Sequence, residues 1–182
     1  MQKYYKATMD RLLRITTRVV WALLLLPPVA LGTVYLVSKD SLAGFTNPPA
    51  TDAVFPLVLA GAVLLSAGIA YFTRKLAPRG FAVNDMELVI DREMRPITIP
   101  LASVTELRRV DDAEMKGALR LMGASGFYAH YGWFWTKKLG KFRLYSCRFK
   151  DLVLVRSEKD VYVLGPDSPE EFLADLRPLL RR

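Results

Sequence analysis

The chain has 182 residues, of which 52% are apolar, with 26 Lys/Arg against 18 Asp/Glu and a formal net charge of +8. One cysteine and one histidine exclude a disulfide framework and a thiolate or imidazole metal cluster. The positive charge gathers on the flanks of two apolar runs, so a membrane surface accounts for it and no nucleic-acid partner is needed.

Residues 1–18 carry five Lys/Arg against one Asp. Wound at about 100° per residue, they set Tyr5, Met9, Leu12, Leu13 and Thr16 on one side and Lys3, Lys6, Asp10, Arg14 and Arg18 on the other. This predicts a basic amphipathic helix suited to an anionic headgroup layer. Two uncharged runs follow, residues 19–37 and 53–73. At about 1.5 Å per residue each spans roughly 30 Å, the thickness of the hydrocarbon core. Residues 38–52 hold one Lys and two Asp and predict a short loop on the far side. Basic flanks on both outer ends, Arg74, Lys75 and Arg79 foremost, predict both termini in the cytoplasm.

Pro27-Pro28 in the first run predicts a kink that frees carbonyls for a neighbouring helix or water. In the second, Ala62, Ser66 and Ala70, with Gly61 and Gly68 beside them, form a small-residue strip open to another helix. Neither run holds an Asp, Glu, Lys, Arg or His, so the pair reads as an anchor and not an ion path. Ala30-Leu31-Gly32 mimics a signal-peptide cleavage site, but the run is too long for one and a second run follows it.

Pro78-Arg79-Gly80 ends the helical part, and short strands begin. Residues 81–84 and 87–90 form a hairpin around Asn84-Asp85. A turn at 91–95 leads into 97–99, and 104–110 is the next strand. Residues 141–147, 152–156 and 161–164 read as a meander, with 152–156 apolar on both faces and therefore central. Ser168-Pro169-Glu170-Glu171 supplies an N-cap, a first-turn proline and an N3 glutamate, which predicts a capping box. Phe172, Leu176, Leu179 and Leu180 then share one face of a closing helix.

Residues 117–140 form an irregular section with five of the 11 glycines, two of the three tryptophans and the single histidine. Two readings are open. In one it is a recognition loop anchored by Phe127, Tyr128, Tyr131, Trp133 and Trp135, with Lys137, Lys138 and Lys141 beside them, held against a protein segment or a lipid interface. In the other the glycines permit bulges and the rings fill a small core. Trp133 and Trp135, two apart, share a strand face in either case. The stretch Gly123-Ala-Ser-Gly126 lacks the Gly-Lys-Ser/Thr ending of a phosphate-binding loop. His130 and Cys147 make a dyad only if folding joins them, and Ser125 has no evident base and orienter. Asp111-Asp112-Ala113-Glu114 matches no calcium-loop spacing and reads as a solvated turn.

Seven short strands followed by one helix resemble the bacterial pleckstrin-homology-like (PH-like) domains of small membrane-anchored proteins. The Gly-aromatic stretch 123–146, Leu152-Val-Leu-Val155 and Gly165-Pro-Asp-Ser-Pro-Glu-Glu-Phe172 carry the likeness, over residues 79–180. The resemblance implies a partly closed antiparallel β-barrel of about seven strands and no catalytic activity. Eukaryotic phosphoinositide readers of this fold cluster Lys/Arg in the first hairpin turn. Here that turn is Asn84-Asp85-Met86, so inositol-lipid binding does not carry over. The expected organisation is an α+β membrane protein: residues 1–78 as basic N-terminus and transmembrane hairpin, 79–182 as the cytoplasmic domain. It is expected to sit in a bacterial cytoplasmic membrane with both termini inside, with no cofactor, metal or small-molecule substrate. The bilayer and a protein partner or second copy are the expected contacts. The rival role is an anionic-lipid sensor using the basic N-terminal helix with Lys137, Lys138 and Lys141.

Overall fold

The computed structural model describes residues 3–41 and 49–180; the centre of the predicted far-side loop, 42–48, lies outside the described residues. The chain divides into two compact units, Met1–Thr16 with Thr73–Arg182 and, separately, Thr17–Phe72.

The second unit is the bulk of two helices, α1 (Arg11–Ser41) and α2 (Pro49–Leu76). Each is long and apolar enough to cross a membrane, and Leu26, Leu57, Leu64 and Leu65 are exposed along them. Helix α1 continues through Pro27-Pro28. Pro28 has no amide to give to the carbonyl four residues back, and Ser66 Oγ from α2 donates to Leu24 O at 3.0 Å instead. The neighbouring helix therefore meets the demand that the prolines create. Tyr35 stacks on Phe55 with centroids 4.8 Å apart. A Cβ added at Gly61 or Gly68 would meet nothing within 4 Å, so these two glycines mark no close helix approach.

The first unit begins with a correction. Residues 1–18 do not form one helix: β1 (Lys3–Lys6) is a strand antiparallel to β2 (Pro78–Val83), with Tyr5 opposite Phe81. Asp10 caps the true start of α1, its carboxylate accepting from Leu13 N at 2.7 Å. Over so few residues the run Lys3-Tyr-Tyr-Lys6 fits a strand as well as a helix, and pairing with β2 decides it. Next in the small sheet come β3 (Glu87–Arg92) and β4 (Ile97–Pro100), giving the order β1-β2-β3-β4.

The second sheet holds β5 (Val104–Arg109), β6 (Leu119–Phe127), β7 (Ala129–Thr136), β8 (Gly140–Ser146), β9 (Val153–Ser157) and β10 (Val161–Gly165), in the order β5-β9-β10-β8-β7-β6. These are two open sheets of four and six strands, so the expected partly closed barrel of about seven strands is corrected to two sheets packed on one core. The predicted meander is corrected too: β10 inserts between β8 and β9 and runs parallel to β8. The irregular section 117–140 resolves into the long hairpin β6–β7, its glycines at positive φ absorbing bulges in the pairing.

Between the sheets lies a core of Phe81, Leu88, Ile90 and Ile99 against Tyr131, Tyr145, Val153, Val155 and Leu164, closed by helix α4 (Pro169–Leu179) through Phe172, Leu173 and Leu176. Each large apolar side chain buried there contributes roughly 1.5–3 kcal/mol. The far face of the six-stranded sheet buries Phe134, Phe142, Leu144, Leu154 and Val163 beneath Met115 of the one-turn helix α3 (Asp112–Met115). The capping box predicted at Ser168 does not form, since the Ser168 side chain makes no cap bond and Pro169 alone opens α4. It forms instead on α3, where Asp111 accepts from Ala113 N and Glu114 accepts from Asp111 N at 3.0 Å. Arg108 grips both oxygens of Glu114 at 2.7 and 2.9 Å. The acidic cluster at 111–114 is thus a structural cap.

Candidate functional site

The β6–β7 hairpin carries most of the residues that the sequence nominates, and it separates them. Phe127 and Tyr131 are buried, and Tyr131 belongs to the central core. Tyr128 occupies the hairpin turn at φ 63°, rests against that core and packs on Phe127 at 4.6 Å. These three are therefore not free anchors, because strand register turns two of the rings inward. Trp133 is half-buried and Trp135 is 41% exposed. Lys137 and Lys138 are exposed in the turn between β7 and β8. Lys141 lies over the Trp133 ring, Nζ 4.2 Å from its centroid.

Three residues missed in the sequence complete a surface. Leu119, Leu121 and Met122 on β6 are 58%, 56% and 68% exposed. Register places Leu119 opposite Trp135 and Met122 opposite Trp133, so these four share one face of the sheet. Among the described residues the sheet order leaves β6 as an edge, nine residues long, with no strand on its outer side. Within those nine residues Arg120 is the only charge, where an edge is usually guarded more heavily. The signal was present in Leu119-Arg-Leu-Met122, a short apolar run between Gly117 and Gly123, but the glycines obscured it.

The nucleophile candidates are also placed. Ser125 Oγ lies 2.8 Å from His130 Nδ1, a pairing that the sequence did not reveal. The His130 ring packs on Phe149 with centroids 4.0 Å apart and opens on a cavity of about 660 Å³ shared with Leu13, Thr16 and Gly126. Burial pulls its pKa down to about 4, so the imidazole is neutral. Cys147 donates its thiol to Pro78 O at 3.7 Å and Tyr128 O at 3.9 Å. Burial pushes that thiol up to about 12, which keeps it protonated and inert. At the first hairpin turn Asn84 Oδ1 accepts from the amides of Met86 and Glu87 at 2.9 and 2.7 Å. That turn is closed by its own side chain.

No curated protein and no solved structure is a significant match to the chain. The model of the bacterial PH domain family matches residues 79–180, more than half of the chain. The match ends within a residue of α4 and takes in β3 to β10 whole, and the chain belongs to the bacterial PH domain family.

Proposed function

We propose that the protein is a membrane-anchored, non-catalytic PH domain that holds a protein partner on the cytoplasmic face by adding the partner's strand to the β6 edge. The observation that carries this is the unpaired nine-residue edge with Leu119, Leu121 and Met122 exposed beside Trp135. Backbone groups on such an edge give affinity, and alternating side chains give register. The anchor is the pair of apolar helices. Both ends of the segment Thr17–Phe72 join the same unit, which supports two crossings with both flanks on one side, and the basic residues there support the cytoplasmic side. The non-catalytic role is supported by the protonated Cys147 thiol and by the absence, among the described residues, of a carboxylate hydrogen-bonded to His130.

The lipid-sensor alternative loses its helical half, because Lys3 and Lys6 lie in a strand and Lys3 pairs with Asp175 at 2.7 Å. The test is photo-crosslinking in intact cells from a probe at Leu121. A discrete adduct that disappears in a Leu119→Lys, Met122→Lys double variant is the expected result, and a self-adduct would make the partner a second copy. No adduct, or one indifferent to the two lysines, removes the proposal.

A further inference from the structure

A second feature, independent of the β6 edge, lies at the turn end of the β6–β7 hairpin. The start of α1 is fixed there, because Asp10 N donates to Cys147 O at 3.3 Å, just past the end of β8. Leu13, one turn on, is 1% exposed and belongs to the central core. Between the first turns of α1, the hairpin turn and the loop from β8 to β9 lies the cavity of about 660 Å³ on which His130 opens. That volume falls within the range of small-molecule sites, roughly 300–1,000 Å³.

The walls are apolar. Leu13 and the Phe149 ring supply two of them. Thr16 Oγ1 is committed to Leu13 O at 3.0 Å, which leaves the Thr16 methyl as its apolar group. Gly126 stands at φ 90°, and a Cβ there would meet nothing nearer than Thr16 Oγ1 at 4.0 Å, so glycine keeps that wall open. Three of the charged residues around the cavity already have partners: Asp10 accepts from Leu13 N, Arg148 pairs with Asp167 and Asp151 pairs with Arg109. The other two, Arg11 and Lys150, are exposed to solvent.

One polar atom remains. His130 is 7% exposed and packs on Phe149, and Ser125 Oγ occupies its Nδ1 at 2.8 Å. Nε2 has no partner among the described residues. The buried side-chain nitrogens that lack both a partner and any exposure all belong to arginines, so the cavity is the opening left to Nε2. A buried hydrogen-bonding nitrogen without a partner is costly, and this imidazole, being neutral, offers an anion no attraction.

We infer that the cavity is a binding site for an uncharged, apolar molecule ending in a hydroxyl group, with the hydroxyl on His130 Nε2 and the hydrocarbon against Leu13, Thr16 and Phe149. A hydroxyl both donates and accepts, so it satisfies Nε2 whichever ring nitrogen carries the proton. Ser125 is the positioning residue that holds the ring. An ionised ligand would bring an uncompensated charge against apolar walls. The bilayer is the source of such a molecule: Thr16 stands three residues before the first apolar run, and apolar alcohols dissolve in hydrocarbon. The source rests on the membrane reading of α1; the site does not.

The test is photolabelling of the full chain in detergent micelles. One probe is a long-chain alcohol with a diazirine beside its hydroxyl end, and the other lacks only the hydroxyl. Adducts are mapped by peptide mass spectrometry. Labelling in residues 11–16 and 148–151 is divided by labelling in residues 19–37, which any micelle-dissolved probe reaches, so partition into detergent cancels. The ratio is expected to be about fivefold higher for the alcohol, the discrimination of one net hydrogen bond. His130→Phe keeps an apolar ring and erases that preference. Thr16→Phe fills the cavity and brings labelling by both probes down to that of the hydrocarbon in the parent or below it. Lys116→Gln, an exposed control, changes neither ratio. Equal ratios for the two probes in the parent protein overturn the inference, and so does a His130→Phe or Thr16→Phe variant that keeps the preference for the alcohol. Thermal unfolding shows that each variant is folded; if one is not, the parent comparison and the other variant decide. The Leu119→Lys, Met122→Lys variant keeps the preference, so this result and the edge-strand result fail separately.

Discussion

Tyr5 is the residue on which the assembly of the first unit can be tested. It precedes α1, yet its ring meets Phe172 of α4 edge-on at 5.1 Å, and it stands opposite Phe81 in the sheet. Its hydroxyl donates to Asp175, which also accepts from Lys3 at 2.7 Å. Tyr5→Ala removes a buried ring, about 3–5 kcal/mol by analogy with other aromatic truncations. For a unit of this size that is a Tm loss of roughly 10–15 °C. Tyr5→Phe keeps the ring and loses a hydrogen bond to a charged acceptor, about 1.5 kcal/mol. The pH dependence has a definite sign. The bonds from Lys3 and Tyr5 hold the Asp175 carboxyl below its ordinary pKa of 3.8, so the unfolded chain takes up the proton first on acidification. The Tyr5→Phe penalty is therefore full at neutral pH and shrinks as the pH falls through the depressed folded value. Thermal unfolding of full-length protein in micelles, by near-ultraviolet circular dichroism, measures both. A Tyr5→Ala shift below about 2 °C, or a Tyr5→Phe penalty that grows in acid, would refute the docking of β1 against α4.

The remaining predictions concern the hairpin, the buried histidine and the anchor. His130 has its pKa pulled from 6.5 to about 4, so the unfolded chain binds the extra proton across that window and stability falls as pH drops from 6.5 toward 4. The loss approaches about 3 kcal/mol; His130→Asn should flatten the curve of Tm against pH, and an unchanged slope sinks the assignment. Gly132 sits at φ 115°, and a Cβ there would fall on Met122 O and come within 2.8 Å of Gly123 Cα. Gly132→Ala should cost about 3 kcal/mol from backbone strain and the clash together, read as a lowered Tm and loss of the Leu121 crosslink. A cysteine placed at Ala50 should react with an impermeant reagent from outside the cell only; labelling from the cytoplasmic side alone would reverse the topology.

Where the signal was local, the residues spoke for themselves. The apolar runs, the Asn84 turn, the strands at 81–84, 87–90 and 97–99 and the helix after Pro169 needed only near neighbours in sequence, and each is where it was expected. The capping box was misplaced because Ser168 and Asp111 offer the same pattern, and only the backbone conformation distinguishes them. At the site, Trp135, Lys137 and Lys138 are exposed as a recognition surface requires, while Phe127 and Tyr131 are not. Alternation along β7 predicted that Trp133 and Trp135 would share a face. It did not say which face, since a two-residue period is blind to the side on which a second sheet will pack.

The sequence by itself determined that this chain carries two uncharged apolar runs long enough to be membrane-crossing helices and a small strand-rich domain of the bacterial PH type. Those properties are written in run length, charge and short-range periodicity. Only the tertiary structure decided that residues 3–6 pair with β2 to extend the small sheet, that β10 slides between β8 and β9, and that β6 is left as an edge. The same holds for Leu13, Gly126, His130 and Phe149, which meet around one cavity from different elements. These are pairings between segments distant in sequence, and what selects them is the burial of a shared core, a property of no segment taken alone.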